Sequence, residues 1–253
     1  MFDYLFQVPD VKKIRVIVHT DCKNEADDQF ALAHHLMTPK FDIKGIIAGH
    51  FEAHVQEYGE GNTMQASYDE IIKVMDLMDI ADSVGVYKGA TTPLPDEETP
   101  VPSEGAQFIV DEAMKEDERP LFAVFQGSLT DMAAALLMEP KIAERITAVW
   151  IGGAKWPVGG FEFNLLQDIH AANVVFKSKV GLWQIPDNVY KMVAVSLTEL
   201  QYRVMPYGKI GKYLFEQMVD FNNKMTDYIP WPHGESWGLG DQGTVTVLLE
   251  ENR

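Results

Sequence analysis

The sequence predicts an α/β fold, a mostly parallel central sheet with helices on both faces and a Rossmann-like core. Three observations predict it. Short β-branched runs alternate with longer helical stretches, their spacing suits parallel crossovers, and no linker divides the 253 residues. The first run, Ile14–Val18, is compact and β-branched, as expected for a strand buried on both faces. Asp27–Leu36 follows as a helix with Phe30, Ala31 and Leu36 on one side. The pattern then repeats: strand Ile43–Ala48, helix Met64–Met78, strand Val84–Tyr87 and helix Glu104–Lys115. After Pro120 come strand Leu121–Phe125, helix Asp131–Met138, strand Ile146–Ile151 and helix Asp168–Lys177. Val180–Ile185 and Met192–Ser196 read as further strands. Two stretches read as irregular: Thr91–Glu104, rich in proline and acids, and Asn222–Asp241, rich in tryptophan, proline and glycine.

Composition narrows the function. A hydrophobic fraction of 46% supports a sizeable core and excludes disorder as the main state. A formal charge of −17 repels phosphate backbones and anionic lipid, so neither nucleic acid nor a membrane surface is an expected partner. It favours cations instead. One cysteine, Cys22, allows no internal disulfide and no multi-cysteine zinc site. No apolar run is long enough to span a membrane, and Met-Phe-Asp-Tyr lacks an export pattern, so a cytoplasmic location is expected.

In parallel α/β sheets ligands sit at the carboxyl ends of the strands. The loop after the first strand is therefore the first place to look, and it holds four carboxylates within eight residues: Asp21, Glu25, Asp27 and Asp28. Helix capping explains an acid or two at a helix start. A whole cluster at the end of an apolar strand creates repulsion that raises pKa values or calls for a cation. Spacing alone leaves both explanations open. Should a metal bind, oxygen donors suit calcium or magnesium better than zinc.

The segment His19-Thr20-Asp21 … Asp27-Asp28 followed by Phe30-Ala31-Leu32 resembles the signature of the inosine–uridine preferring nucleoside hydrolases. Its loop is longer than that family's usual pattern, and His19 stands where the family's first acid is usual. Three further segments agree in order: Gln126-Gly127-Ser128-Leu129-Thr130-Asp131, then Gly152-Gly153-Ala154 … Glu162-Phe163-Asn164 … Asp168-Ile169-His170-Ala171-Ala172, then Gly240-Asp241. The resemblance implies one nucleoside hydrolase-like domain over residues 1–253, short at its C-terminal end. It implies calcium-dependent hydrolysis of the N-glycosidic bond of a ribonucleoside or related ribosyl compound. Asp21, Asp28, the carbonyl of Gln126 and Asp241 would hold Ca²⁺, with Asp21 also the general base. Asp27, Glu162 and Asn164 would grip the sugar; Glu162 and Asn164 point to one side if their segment is extended. Dimers or tetramers are common in the resembled family.

Three departures bear on function. The family's usual Asn after its second strand is His50 here, where an imidazole can still hydrogen-bond a ribose hydroxyl. The glycine-rich Gly159-Gly160-Phe161 is shortened, and a sugar-contacting Asn is missing. Gly240 replaces a His that contacts the leaving group in part of the family. Candidates for that lost role lie in Trp231-Pro232-His233-Gly234-Glu235-Ser236-Trp237, with His233 or Glu235 as proton donor and Trp237 as a stacking surface. A packed loop with buried tryptophans explains the same residues. Two further readings compete with the hydrolase. One is a metal-dependent ribosyl-binding or vestigial protein without efficient turnover. The other, a haloacid dehalogenase-type phosphohydrolase, needs an Asp two residues after its nucleophile, where Lys23 stands.

Overall fold

A computed structural model describes residues 4–227 and 234–249. Six parallel strands form the central sheet: β1 (Ile14–Thr20), β2 (Phe41–Ala48), β3 (Val86–Lys88), β4 (Leu121–Phe125), β5 (Thr147–Ile151) and β6 (Gly181–Ile185). Their order is β3-β2-β1-β4-β5-β6. The chain thus winds outward in one direction from β1 and in the other from β4, and the crevice where the direction reverses opens between the carboxyl ends of those two strands.

Alternation along each strand feeds two cores. Val16 and Val18 of β1 pack on one face with Phe30 and Leu32 of helix α1 (Asp28–Met37) and Ile71 and Val74 of α2 (Thr63–Leu77). Ile17 packs on the other face with Ile109 of α3 (Glu104–Ala113), Met132 of α4 (Thr130–Met138) and Val175 of α5 (Ile169–Lys177). Because successive side chains point to opposite faces, strands buried on both sides read as mostly apolar runs. That is why they were legible.

Two features depart from the sequence-based expectation. The strand expected over Met192–Ser196 is the short β7 (Ala194–Ser196), and it lies outside the main sheet. It pairs antiparallel with β8 (Ser236–Gly238), which lies inside the stretch read as irregular. Between them runs α6 (Gly208–Lys224), a long helix outside the sequence-based expectation. Leu214 and Met218 are buried in its packed face, and Ile210, Tyr213, Phe215 and Phe221 pack partly buried beside them. A last helix, α7 (Gln242–Leu249), closes the described chain against the α1 side of the sheet.

Candidate functional site

Strand β1 delivers Asp21 into the crevice, fully buried. Gly127, just past β4, comes so close that a Cβ there would lie 2.6 Å from Asp21 Cγ. Any side chain at 127 would therefore displace the carboxylate. Trp150 Nε1 donates to the Gly127 carbonyl at 2.9 Å and holds this turn in place.

Asp27 precedes α1 without capping it, because its side chain accepts none of the helix's N–H groups. Its Oδ2 accepts instead from the backbone N–H of Asp241 at 3.2 Å, joining positions 214 residues apart. Asp28 Oδ1 accepts from Thr20 Oγ1 at 2.6 Å. One oxygen from each of Asp27, Asp28 and Asp241 lies within 4.8 Å of the others, and all three residues are buried. Asp28 also lies against Asp21. Neither oxygen of Asp21 has a hydrogen-bond partner among the described residues, and Asn24 Oδ1 and Gln126 Oε1 are likewise unmatched.

The electrostatics follow from burial without compensation. Loss of solvent pushes Asp27 up to about 6. The same cause, with the charge of Asp27 added, pushes Asp28 up to about 7. Asp21 is driven well above the carboxylate range by burial and then by Asp28 and Glu25. Asp241 is raised likewise by burial and by Asp27, Asp28 and Asp21. Glu25, which the sequence motif did not single out, is raised by burial and by Asp27, Asp28 and Glu162. Three clustered acids, with the unmatched oxygens of Asp21 beside them, are all hard donors and fit a divalent cation of the calcium or magnesium type.

Glu162 and Asn164 are buried as well, on a different backbone from the extended one expected. Residues Phe163–Gln167 form a short helix, because the Glu162 side chain accepts from the N–H groups of Asn164 (3.1 Å) and Leu165 (2.9 Å) and closes the turn. Glu162 also accepts from Gly153 N–H at 2.6 Å and from the Tyr190 hydroxyl at 2.9 Å. Asn164 Nδ2 donates to the carbonyls of Gln126 (3.2 Å) and Ile151 (2.9 Å), tying its helix to the ends of β4 and β5.

His50 is fully buried at the end of β2, its Nε2 2.8 Å from Thr130 Oγ1 and its Nδ1 without a partner among the described residues. Burial holds its pKa below the ordinary histidine value. Thr130 in turn donates to Asp168 Oδ2 at 2.8 Å, while Asp168 Oδ1 caps α5 through Ala171 N–H. Trp237 is buried, edge-on to Phe221 with ring centroids 5.5 Å apart, in the packing between β8 and α6. Glu235 is exposed. His233 lies outside the described residues.

The structure thus gathers Asp27, Asp28 and Asp241 at one point with Asp21 beside Asp28, and Asn164 links Glu162's helix to Gln126. Glu25 and Tyr190 are additions. Glu25 was visible as an acid inside the motif; Tyr190 carried no sequence signal, because only the fold brings it to Glu162.

Known proteins share this fold. A pyrimidine-specific ribonucleoside hydrolase, RihA, of Escherichia coli O1:K1 / APEC is 23% identical over 260 residues, covering 91% of this chain and 78% of its own. The solved purine-preferring ribonucleoside hydrolase from Gardnerella vaginalis superposes with a TM-score of 0.74 at 23% identity, covering 93% of this chain and 80% of its own. A plant nucleoside hydrolase, PpNRh1, superposes at 0.73 with 17% identity, over 94% of this chain and 79% of its own. At such identities the superpositions speak for the fold alone. The model of the inosine-uridine preferring nucleoside hydrolases matches residues 16–253, so the chain belongs to that family, whose members are hydrolases of N-glycosyl bonds.

Proposed function

We propose that this enzyme hydrolyses the N-glycosidic bond of a ribonucleoside or related ribosyl compound with calcium as its cofactor. One observation carries the reading: buried, uncompensated carboxylates converge at the crevice between β1 and β4, and Asp21 has both oxygens unmatched. Asp21, Asp28 and Asp241 would hold the ion with the Gln126 carbonyl, and the position of Asp27 adds it to that donor set. When bound, the cation supplies positive charge that offsets the clustered acids, orients sugar hydroxyls and makes a nearby water more acidic.

The chain's own groups account for the rest. Asp21 takes a proton from the attacking water, whose oxygen bonds to the anomeric carbon as the C–N bond breaks. Positive charge builds on the sugar in that step, and surrounding carboxylates stabilise it. Glu162, Asn164 and His50 orient the ribose, with the bare His50 Nδ1 as a site for one hydroxyl. The C–N electron pair leaves with the base, which must gain a proton; His233 and Glu235 are the proposed donors. A homo-oligomer is part of the proposal.

Ribose release from a panel of purine and pyrimidine ribonucleosides, with calcium and with a chelator, tests this directly. Turnover that the chelator abolishes and added calcium restores is expected. Calcium-dependent ribose binding with no turnover on any member would establish the vestigial reading instead.

A further inference from the structure

The donors proposed for the cation come from three parts of the chain: the loop between β1 and α1 with Asp21, Asp27 and Asp28, the residue after β4, Gln126, and the turn that opens α7, Asp241. One fully buried hydroxyl, on Thr244 of α7, joins α1, Gln126 and Asp241. Thr244 Oγ1 lies 2.7 Å from the Asp241 carbonyl oxygen, 3.1 Å from Gln126 Nε2 and 3.1 Å from Nε2 of His35 on α1. Gln126 is 118 and His35 is 209 positions away in sequence, so only the fold makes this junction.

The junction uses the whole bonding capacity of the oxygen. A hydroxyl offers one proton and two lone pairs. The proton goes to the Asp241 carbonyl, which can only accept, and the lone pairs take N–H groups from Gln126 Nε2 and His35 Nε2. Helix α7 does not need these links, because Thr244 N–H already closes its first turn on the Asp241 carbonyl at 3.0 Å. They act between elements. Beside them His34 Nδ1, 2.6 Å from Gln242 Oε1, ties α1 to α7 a second time. The backbone of Gln126 is held as well: its N–H donates to the His19 carbonyl at 2.9 Å, and its carbonyl accepts from Asn164 Nδ2 at 3.2 Å, which leaves that carbonyl one lone pair.

We propose that Thr244 is a positioning residue for the cation site: by holding Gln126, α1 and the Asp241 turn on one oxygen, it fixes the spacing of the donors that those parts bring. The proposal rests on the calcium reading above. Thr244 is not itself a donor to the ion, since its hydroxyl has no lone pair left. Oxygen donors must close on calcium to about 2.3–2.6 Å, and carboxylates that repel one another do not keep such a spacing unaided. Taking the hydroxyl away leaves two buried N–H groups, on Gln126 and His35, without an acceptor and frees the elements that carry them to shift.

Calcium titration calorimetry on the chelator-stripped protein tests this without any turnover. Thr244→Val keeps the shape and loses the hydroxyl, and it is expected to raise the calcium Kd about tenfold. Thr244→Ser restores the hydroxyl and should stay within about threefold of wild type. Gln126→Met removes the side-chain amide but keeps the backbone carbonyl; it should weaken calcium by a similar factor and add little to Thr244→Val, because both break one link. Leu248→Ala separates positioning from mere stability. It empties a core position on the same helix, so it should lower the melting temperature while the calcium Kd stays within about twofold of wild type. An unchanged Kd in Thr244→Val, a serine variant as weak as the valine one, full additivity with Gln126→Met, or an equal loss in Leu248→Ala each overturns the proposal. Should Thr244→Val not fold, Gln126→Met judges the link by itself: a tenfold loss supports it and an unchanged affinity overturns it. A wild type that binds no calcium overturns the calcium reading and this one together, whereas wild-type binding that Thr244→Val leaves intact overturns this one alone.

Discussion

The two ends of strand β1 hold buried charge in opposite ways. At the amino end Arg15, only 3% exposed, is surrounded by acceptors. Its Nη1 reaches Glu112 Oε1 at 3.3 Å, its Nη2 and Nε reach the Arg119 carbonyl at 3.1 and 3.2 Å, and Lys115 completes Glu112 from the other side at 2.6 Å. Asp117 and Asp42 extend the set through Arg119. Six residues further on, just past the carboxyl end of the strand, Asp21 has no hydrogen-bond donor among the described residues, and the charges that act on it are other acids. Folding explains the first arrangement completely, because every buried charge meets its opposite. It does not explain the second, since uncompensated buried carboxylates cost free energy and persist where something outside the chain repays it. The lesson is general: in one layer of one fold, paired charge marks structure and unpaired charge marks chemistry.

That contrast can be broken at either end. Asp21→Asn is nearly isosteric and removes the proton acceptor; turnover should fall roughly 10²–10⁴-fold while circular dichroism and thermal unfolding stay close to wild type. Activity within tenfold of wild type would reject Asp21 as the base. Glu112→Ala should do the reverse. It strands Arg15 in the interior at a cost of about 3 kcal/mol, read as a lower urea midpoint, with kcat per folded molecule unchanged.

Asp28→Asn sharpens the comparison by testing which charges await a cation. In calcium-free buffer it relieves repulsion, so the melting temperature should rise or hold. In millimolar calcium the wild type should gain stability by mass action and the variant should gain little. A calcium-induced rise of equal size in both would remove Asp28 from the ligand set.

The smallest effect concerns a buried group that is neither paired with an ion nor placed at the acidic cluster. His35, on α1, is fully buried with Nε2 3.1 Å from Thr244 Oγ1, and burial brings its pKa down to about 3. Its folded value thus lies below its unfolded one near 6.5. The unfolded chain takes up a proton first as pH falls, so this residue withdraws stability between about pH 6.5 and 3. The slope is at most about 1.4 kcal/mol per pH unit. Urea midpoints measured across that window should fall less steeply for His35→Gln than for the wild type.

Much of the architecture was legible because local pattern carries it. Ile14–Val18, Leu121–Phe125 and Ile146–Ile151 are buried on both faces, so they read as short runs rich in apolar residues, broken only by Arg15 and Thr147, wherever the rest of the chain goes. The acidic loop was legible for a similar reason: Asp21, Asp27 and Asp28 are crowded in sequence before any folding occurs. Helix α6 carries a pattern of the same local kind, Ile210, Leu214, Met218 and Phe221 at helical spacing, although it was not among the expected elements.

By itself, then, the amino-acid sequence determined the alternation of strands and helices, the place of the acids at a strand's carboxyl end, and the family likeness. Tertiary structure alone decided which of those acids remain uncompensated. Whether Asp27 caps its helix or turns to Asp241 depends on a backbone amide 214 residues away. That Glu162 caps a turn and holds Tyr190, and that Trp237 packs in the interior against Phe221, likewise depend on distant neighbours. The physical reason is one of range. Propensity and periodicity act between residues a few positions apart, whereas desolvation and Coulomb energy act on whatever the finished fold brings within a few ångströms.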